Sequence, residues 1–253
     1  NNLPQIISVM EKHCIPDMDN ELYSSFGDIS SRCFVAGWTA FDRYPVMMRE
    51  FEQNQVRQEI RKKLGIEDGK KLIVYFAVLP PILDLSEHHI MDYYDDGARY
   101  HQDVLENINI VSDLLLFKVL NPNVEVVVSP HPREGVYNKK VSTWGEYGSA
   151  HLAEMALLRH VKPGEYNFEK LCYSADCVVG SATTAVSAAC AMNKNTMSII
   201  TQNPWLPLSA YPAIFSNAIP VAYMSEEIQP MLKKLNSRDY GTDFANMRRN
   251  FAP

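Results

Sequence analysis

The 253-residue sequence has no apolar run near the roughly 20 residues needed to cross a bilayer, so a membrane-spanning helix is excluded. It also lacks an excess of positive charge. Lys and Arg number 24 against 30 Asp and Glu, and the net charge of −6 argues against a nucleic-acid backbone as the main partner. A local basic cleft for a small anion remains compatible with that balance. Cysteine is sparse: Cys14, Cys33, Cys172, Cys177 and Cys190 are odd in number and show no paired metal spacing. A disulfide framework is therefore not expected, and a reducing cytoplasm with free thiols is. No GxGxxG pattern is present, which argues against an ordinary NAD site. Gly65 to Lys71 has the wrong glycine spacing for a phosphate loop, and no Ser or Thr follows the lysine. There is no internal repeat and no low-complexity tract. What is present is 46% apolar residues, ample for one large α/β domain or one domain plus a piece of another.

The most informative stretch is Tyr173 to Ile200. Cys177 to Val179 is a short apolar run, suited to a buried strand of a parallel sheet. Gly180-Ser181-Ala182-Thr183-Thr184 follows, a turn with no side chain larger than threonine. Ala185 to Met192 is helix-like and built almost wholly of small residues, and Met197 to Ile200 is a second apolar run. Strand, small turn, close-packed helix and strand make a βαβ unit whose turn lies at the positive end of a helix. Free N–H groups, the helix dipole and the hydroxyls of Ser181, Thr183 and Thr184 favour a bound anion, most simply a phosphate. Alternatively, Ser181 caps the helix and the small residues only pack.

Around this unit the chain alternates strands and helices. A short helix is expected over Ile6 to Met10, ending near His13, then a turn at Pro16-Asp17. A helix is expected from about Val46 to Leu64, stopped by Gly65, then a strand from Lys71 to Val78. Val104, Ile108, Val111 and Leu115 recur at helical spacing in Tyr100 to Leu120, and Val124 to Ser129 reads as the next strand. A helical segment over His151 to Leu158, a strand end at Val161-Lys162-Pro163 and a helix over Asn167 to Ser174 come next. Ile219 to Ala222 reads as a last short strand, and a helix capped by Ser225 runs to about Leu235. This order predicts an α/β fold with a doubly wound, mostly parallel, Rossmann-like sheet, helices on both faces and ligands beyond the strand C-termini. The chain opens on Asn1-Asn2. We expect residues 1–45 to be a linker or the end of a missing N-terminal domain, and 46–253 to be the Rossmann-like domain.

Three features fall at strand C-termini: the long loop after Val78, the His131-Pro132-Arg133 segment, and Gly180 to Thr184. Prolines on both sides fix the backbone around His131. A rigidly held His131 with Arg133 suits a pyrophosphate or a sugar hydroxyl; otherwise the segment is a simple turn, with Arg133 paired to Glu134. Asp95-Asp96 could supply a general base, bind a metal with His88 and His89, or form a solvated Asp-Asp-Gly turn. His88 and His89 are consecutive and point apart, so no metal site is expected. Glu165-Tyr166 either reaches a nucleotide or starts the next helix, and Trp205 and Tyr211 are expected to pack a proline-rich loop.

These residues together resemble the C-terminal, donor-binding domain of GT-B fold glycosyltransferases and the related nucleotide-sugar 2-epimerases. The likeness is greatest to the bacterial branch that builds capsule and cell-wall polymers, including CDP-glycerol glycerophosphotransferases and bacterial sialyltransferases. It runs from about Cys33 to Leu235 through Phe34 to Asp42, the KLIVYFA strand, VVVSPHPRE, and the block from Ala175 to Ile199. The resemblance implies that His131, Arg133, Gly180, Ser181, Thr183 and Thr184 bind a nucleotide-sugar or CDP-alcohol donor as substrate, with no separate cofactor and no metal. Asp96, in an Asp-Asp-Gly triplet like that of the sialyltransferases, and His131 are the implied catalytic residues. Thr184 to Ala188 contains no acid where the epimerases carry an acidic pair. The implied role is the donor-binding part of a transferase in surface polysaccharide synthesis. A non-catalytic nucleotide-binding or scaffold module, or a UDP-sugar 2-epimerase-like enzyme, is the alternative.

Overall fold

The computed structural model describes residues 13–15, 33–35, 43–77, 98–131, 149–162, 164–181, 183–200 and 219–237. The longest apolar runs become the central strands. β3 (Lys71–Phe76) and β4 (Val124–Ser129) are buried almost throughout, as their mostly apolar sequences require, and the buried charge of Glu125 within β4 is met by Lys118 at 2.6 Å. With β5 (Arg159–His160), β6 (Cys177–Gly180), β7 (Asn195–Ile199) and β8 (Val221–Ala222) they form a six-stranded, all-parallel sheet in the order β5-β4-β3-β6-β7-β8. A separate parallel pair joins β1 (His13–Ile15) to β2 (Cys33–Val35).

Parallel strands need crossovers, and the crossover helices cover both faces. One face carries α3 (Ala98–Leu120), α4 (Ser149–Met155) and α7 (Ser225–Asn236). Ile110, Leu114, Leu152, Ile228 and Leu232 pack there against Ile73, Tyr75, Val126, Val179 and Met197. The other face carries α1 (Tyr44–Gln53), α2 (Val56–Lys63), α5 (Phe168–Ser174) and α6 (Thr184–Ala191). Here Val56, Ile60, Leu171, Ala185 and Ala188 meet Leu72, Val74, Phe76 and Val178. The domain is thus the doubly wound, Rossmann-like α/β fold that the alternation of elements predicts. Among the described residues no helix is long and apolar enough to cross a membrane. Cys172, Cys177 and Cys190 are buried. Burial pushes the Cys177 thiol up to about 12 and the Cys172 thiol higher still, so both behave as small apolar groups.

Several boundaries differ from those expected. The helix over Val46 to Leu64 is two helices, broken at Asn54 and Gln55, with Gln55 in the left-handed region at φ 53. The reason is phase. Tyr44, Met47, Met48 and Phe51 form one apolar stripe, whereas Val56 and Ile60 fall off it, so a break is needed to aim both sets at the same core. Pro45 lies in the first turn of α1, where its missing N–H costs nothing. Gly65 does stop α2: at φ 64 it donates to the Lys62 carbonyl, and Ile66 donates to the Arg61 carbonyl. β3 ends at Phe76, and Val78 lies outside the described residues.

α4 stops at Met155, earlier than Leu158, through the same pair of carbonyl bonds, but with Leu157 rather than glycine at φ 54. The strand that follows is Arg159–His160, not Val161 to Pro163. His13 belongs to a strand, not to a helix end; the expected helix over Ile6 to Met10 lies outside the described residues. Ser225 is not the cap of α7. The N-cap position is Met224, and the Glu227 carboxylate accepts the N–H groups of Tyr223 (2.8 Å) and Met224 (3.1 Å).

Candidate functional site

Chain order places the ligand-binding rim. β3 starts in the middle of the sheet, the chain winds outward through β4 to β5, then returns to lay β6 on the other side of β3. The strand order reverses between β3 and β6. The crevice beyond the C-terminal ends of these two strands is the topological switch point, where open α/β sheets hold their ligands.

Gly180 stands at that point. The register aligns Ser129, Phe76, Gly180, Ser198 and Val221 in one row across the sheet. A Cβ at Gly180 would stand 2.7 Å from Val186 Cγ2 and 3.2 Å from the Phe76 carbonyl oxygen. Only glycine lets α6 come down this close to the sheet, which explains the small-residue composition of the unit.

The hydroxyls of the turn have different surroundings. Thr183, not Ser181, is the N-cap of α6, and its Oγ1 accepts the Val186 N–H at 3.4 Å. Ser181 is buried, and its hydroxyl donates to the Ile199 carbonyl at the end of β7, at 2.8 Å. Thr184, the first residue of α6, is exposed, and the first turn carries no acid. α6 itself is eight residues long and presents its N-terminus to the crevice rim.

On the other side of β3, His131 follows the end of β4 by two residues and is half-buried. It therefore shares the C-terminal rim with the Gly180 turn, and one strand separates them. At the spacing of about 4.8 Å between neighbouring strands, Ser129 and Gly180 lie roughly 10 Å apart, about the reach of a nucleoside diphosphate. Asp95, Asp96, Arg133, His88, His89, Trp205 and Tyr211 lie outside the described residues. Glu165 accepts the Lys162 N–H at 2.9 Å, and Tyr166 packs against the core on the face carrying α5.

Two features went unnoticed in the sequence. Ser187 of α6 and Ser198 of β7 are buried, and neither Oγ has a hydrogen-bond partner among the described residues. Met197 and Ile199 face the α3–α7 side, so strand alternation directs Ser198 toward the α6 side, in the same row as Gly180. The second feature is Asp176, at the N-terminal end of β6. It receives Arg57 at 2.6 Å, Arg61 at 3.1 Å and the Leu72 N–H at 2.7 Å. Burial pushes its carboxyl up, but the Leu72 N–H and the two guanidiniums together hold it below its ordinary value. This aspartate is far from the switch point and binds α2 to the sheet. Its sequence signal, an acid just before an apolar strand, does not reveal its partners.

No protein-family model matches the chain, and no curated protein matches it. Solved structures do. UDP-GlcNAc 2-epimerase from Neisseria meningitidis, bound to UDP-GlcNAc, superposes with a TM-score of 0.61 at 14% identity, over 97% of this chain and 58% of that one. The S. aureus MnaA–UDP structure gives a TM-score of 0.60 at 14% identity, covering 98% and 58%. A variant of the wall teichoic acid polymerase TagF gives 0.52 at 14% identity, covering 99% and 54%. The chain shares their fold. It is the GT-B-type architecture expected from the resemblance of the sequence. The chain spans between about half and three-fifths of the length of these structures.

Proposed function

We propose that the chain is the donor-binding part of a GT-B-type transferase that uses a nucleotide-activated sugar or a CDP-alcohol in cytoplasmic steps of surface polysaccharide synthesis. The observation that carries this reading is the switch-point crevice, where the N-terminus of α6 and the His131 end of β4 share one rim roughly 10 Å apart, about the reach of a nucleoside diphosphate. Free N–H groups in the first turn of α6 take phosphate oxygens of the donor. An acceptor hydroxyl, giving its proton to the general base, forms the new bond to the glycosyl carbon or to the phosphorus bearing the alcohol. As the glycosyl C–O bond or the bridging P–O bond breaks, negative charge grows on the phosphate oxygen left with the nucleotide. The helix end stabilises that charge, which is the principal task of a donor domain in transfer chemistry. His131 and Arg133 grip the nucleotide or its diphosphate from β4, and Asp96 is the candidate general base. The donor domain takes in α1, whose first residue, Tyr44, is buried in its core. Similar structures that hold UDP-GlcNAc and UDP support this reading.

Titration calorimetry of the chain with UDP, CDP and CMP tests it. One of these nucleotides is expected to bind, with affinity at least about tenfold weaker in His131→Ala, the usual worth of a charge-assisted hydrogen bond. Binding of none of them would replace the proposal with a non-catalytic scaffold module.

A 2-epimerase-like activity is the second reading, favoured by the similarity to UDP-GlcNAc 2-epimerase from Neisseria meningitidis. Against it stands the absence of an acid in the first turn of α6. Incubation with UDP-GlcNAc and no acceptor separates the two, because an epimerised product would exclude the transferase reading.

A further inference from the structure

Ser181 and Thr183 are two residues apart, yet their hydroxyl protons are committed differently. A hydroxyl owns one proton and two lone pairs. Ser181 gives its proton to the Ile199 carbonyl at 2.8 Å and is 4% exposed, so only lone pairs remain. Lone pairs repel a phosphate oxygen. Thr183 uses a lone pair to accept the Val186 N–H, and its own proton has no acceptor among the described residues.

Resting on the donor-binding reading, we infer that Ser181 is a positioning residue that never touches the donor. It ties the β6–α6 turn to the last residue of β7. One residue earlier, Val186 Cγ2 fills the space that a Cβ at Gly180 would need. With the turn tied to β7 and packed this closely under α6, the first N–H groups of α6 stay fixed toward the crevice. The polar contact with phosphate falls instead to those N–H groups and to Thr183.

The test uses the 253-residue chain with UDP and CDP as probes, followed by calorimetry and by the 31P resonances of whichever nucleotide binds. Ser181→Ala is expected to lower the melting temperature and weaken binding severalfold, while the 31P shifts of the bound nucleotide stay at their wild-type positions. Ser181→Cys, nearly the same size with a weak donor, serves where the alanine variant fails to fold, and the same unmoved shifts are expected. Thr183→Asp keeps a capping oxygen but brings negative charge and no proton. It is expected to retain the melting temperature, move the 31P shifts and weaken binding on the order of tenfold or more. If the Ser181 variants move the 31P shifts as far as Thr183→Asp does, Ser181 contacts the ligand, and the inference fails while the donor-binding reading stands. Unchanged affinity and melting temperature in Ser181→Ala would also overturn it. If the unaltered chain binds neither nucleotide, the donor-binding reading falls and this inference falls with it.

Discussion

At the N-terminal rim of the sheet, charges hold one another and the backbone. Asp176 takes Arg57, Arg61 and the Leu72 N–H; Arg57 also reaches the Ser174 and Ala175 carbonyls; and Lys194 donates to the Tyr173 and Ala175 carbonyls and lies 4.9 Å over the Tyr173 ring. Lys71 adds a bond to the Asn236 carbonyl. At the C-terminal rim, the described part of the β6–α6 turn is held by the neutral bonds of Ser181 and Thr183 and by the close approach at Gly180. One rim is closed by satisfied ions, and the other leaves a helix end and a threonine proton available. In the proposed reading the same six strands serve stability at one edge and recognition at the other, and strong ion pairs are then a poor guide to the candidate site.

That contrast predicts which substitutions separate folding from binding. The largest effect on stability is expected from Asp176→Ala, which strands two guanidiniums and a backbone N–H. A loss of roughly 2–3 kcal/mol in urea denaturation is expected, with nucleotide affinity unchanged. The acid limb gives an independent reading. Asp176 titrates lower in the folded chain than in the unfolded one, so its contribution is present above the unfolded value of about 4 and is lost as pH falls through the folded value. The urea midpoint of the wild type should drop across that range, and Asp176→Asn should show a smaller drop.

Gly180→Ala acts at the opposite rim. Its Cβ meets a stiff β-branched side chain and a carbonyl oxygen, so a loss of about 1–2 kcal/mol is expected. Here nucleotide affinity should fall along with stability, because α6 must lift from the sheet. Equal affinity in the variant would dissolve the contrast between the rims.

Lys194 gives a smaller, pH-dependent signature. Burial, reinforced by Arg57, lowers it to about 8. Between that value and the unfolded value of about 10.4 the unfolded chain binds more protons, so stability should rise with pH across this window. Thermal melts of wild type and Lys194→Met across it should differ in slope, the variant lacking the rise. Smallest of all, Ser198→Ala removes a buried hydroxyl that has no partner among the described residues and is expected to be neutral or to stabilise by up to about 1 kcal/mol. A loss of nucleotide affinity in Ser198→Ala would extend the binding rim into the layer beneath the turn.

Much of the sheet was readable because buried parallel strands are mostly apolar: Lys71–Phe76, Val124–Ser129 and Cys177–Gly180 declare themselves by composition. α3 was readable by period, and Asn167 caps α5 through bonds to the Glu169 and Lys170 N–H groups. What escaped depends on contacts between distant residues. The break at Gln55 reflects a change of phase set by the core. The stop at Leu157 uses left-handed backbone without glycine, and β5 is two exposed polar residues that only the edge of β4 makes into a strand. At the site, the turn and its glycine were legible as a βαβ signature. The direction of the Ser181 proton was not, because it depends on where β7 ends, a strand and a helix away.

The return of the chain across β3 has a consequence for assembly. β3, β4 and β5 are contiguous in sequence and can pair as soon as they are made, whereas the crevice does not exist until β6 docks on the free flank of β3. Its two walls therefore belong to an early and a late half of the domain, and the pocket is the seam between them. A guest in that seam would clamp the late half onto the early one, so its protection against hydrogen exchange should be greatest in β6 and β7 rather than in the strands that carry His131.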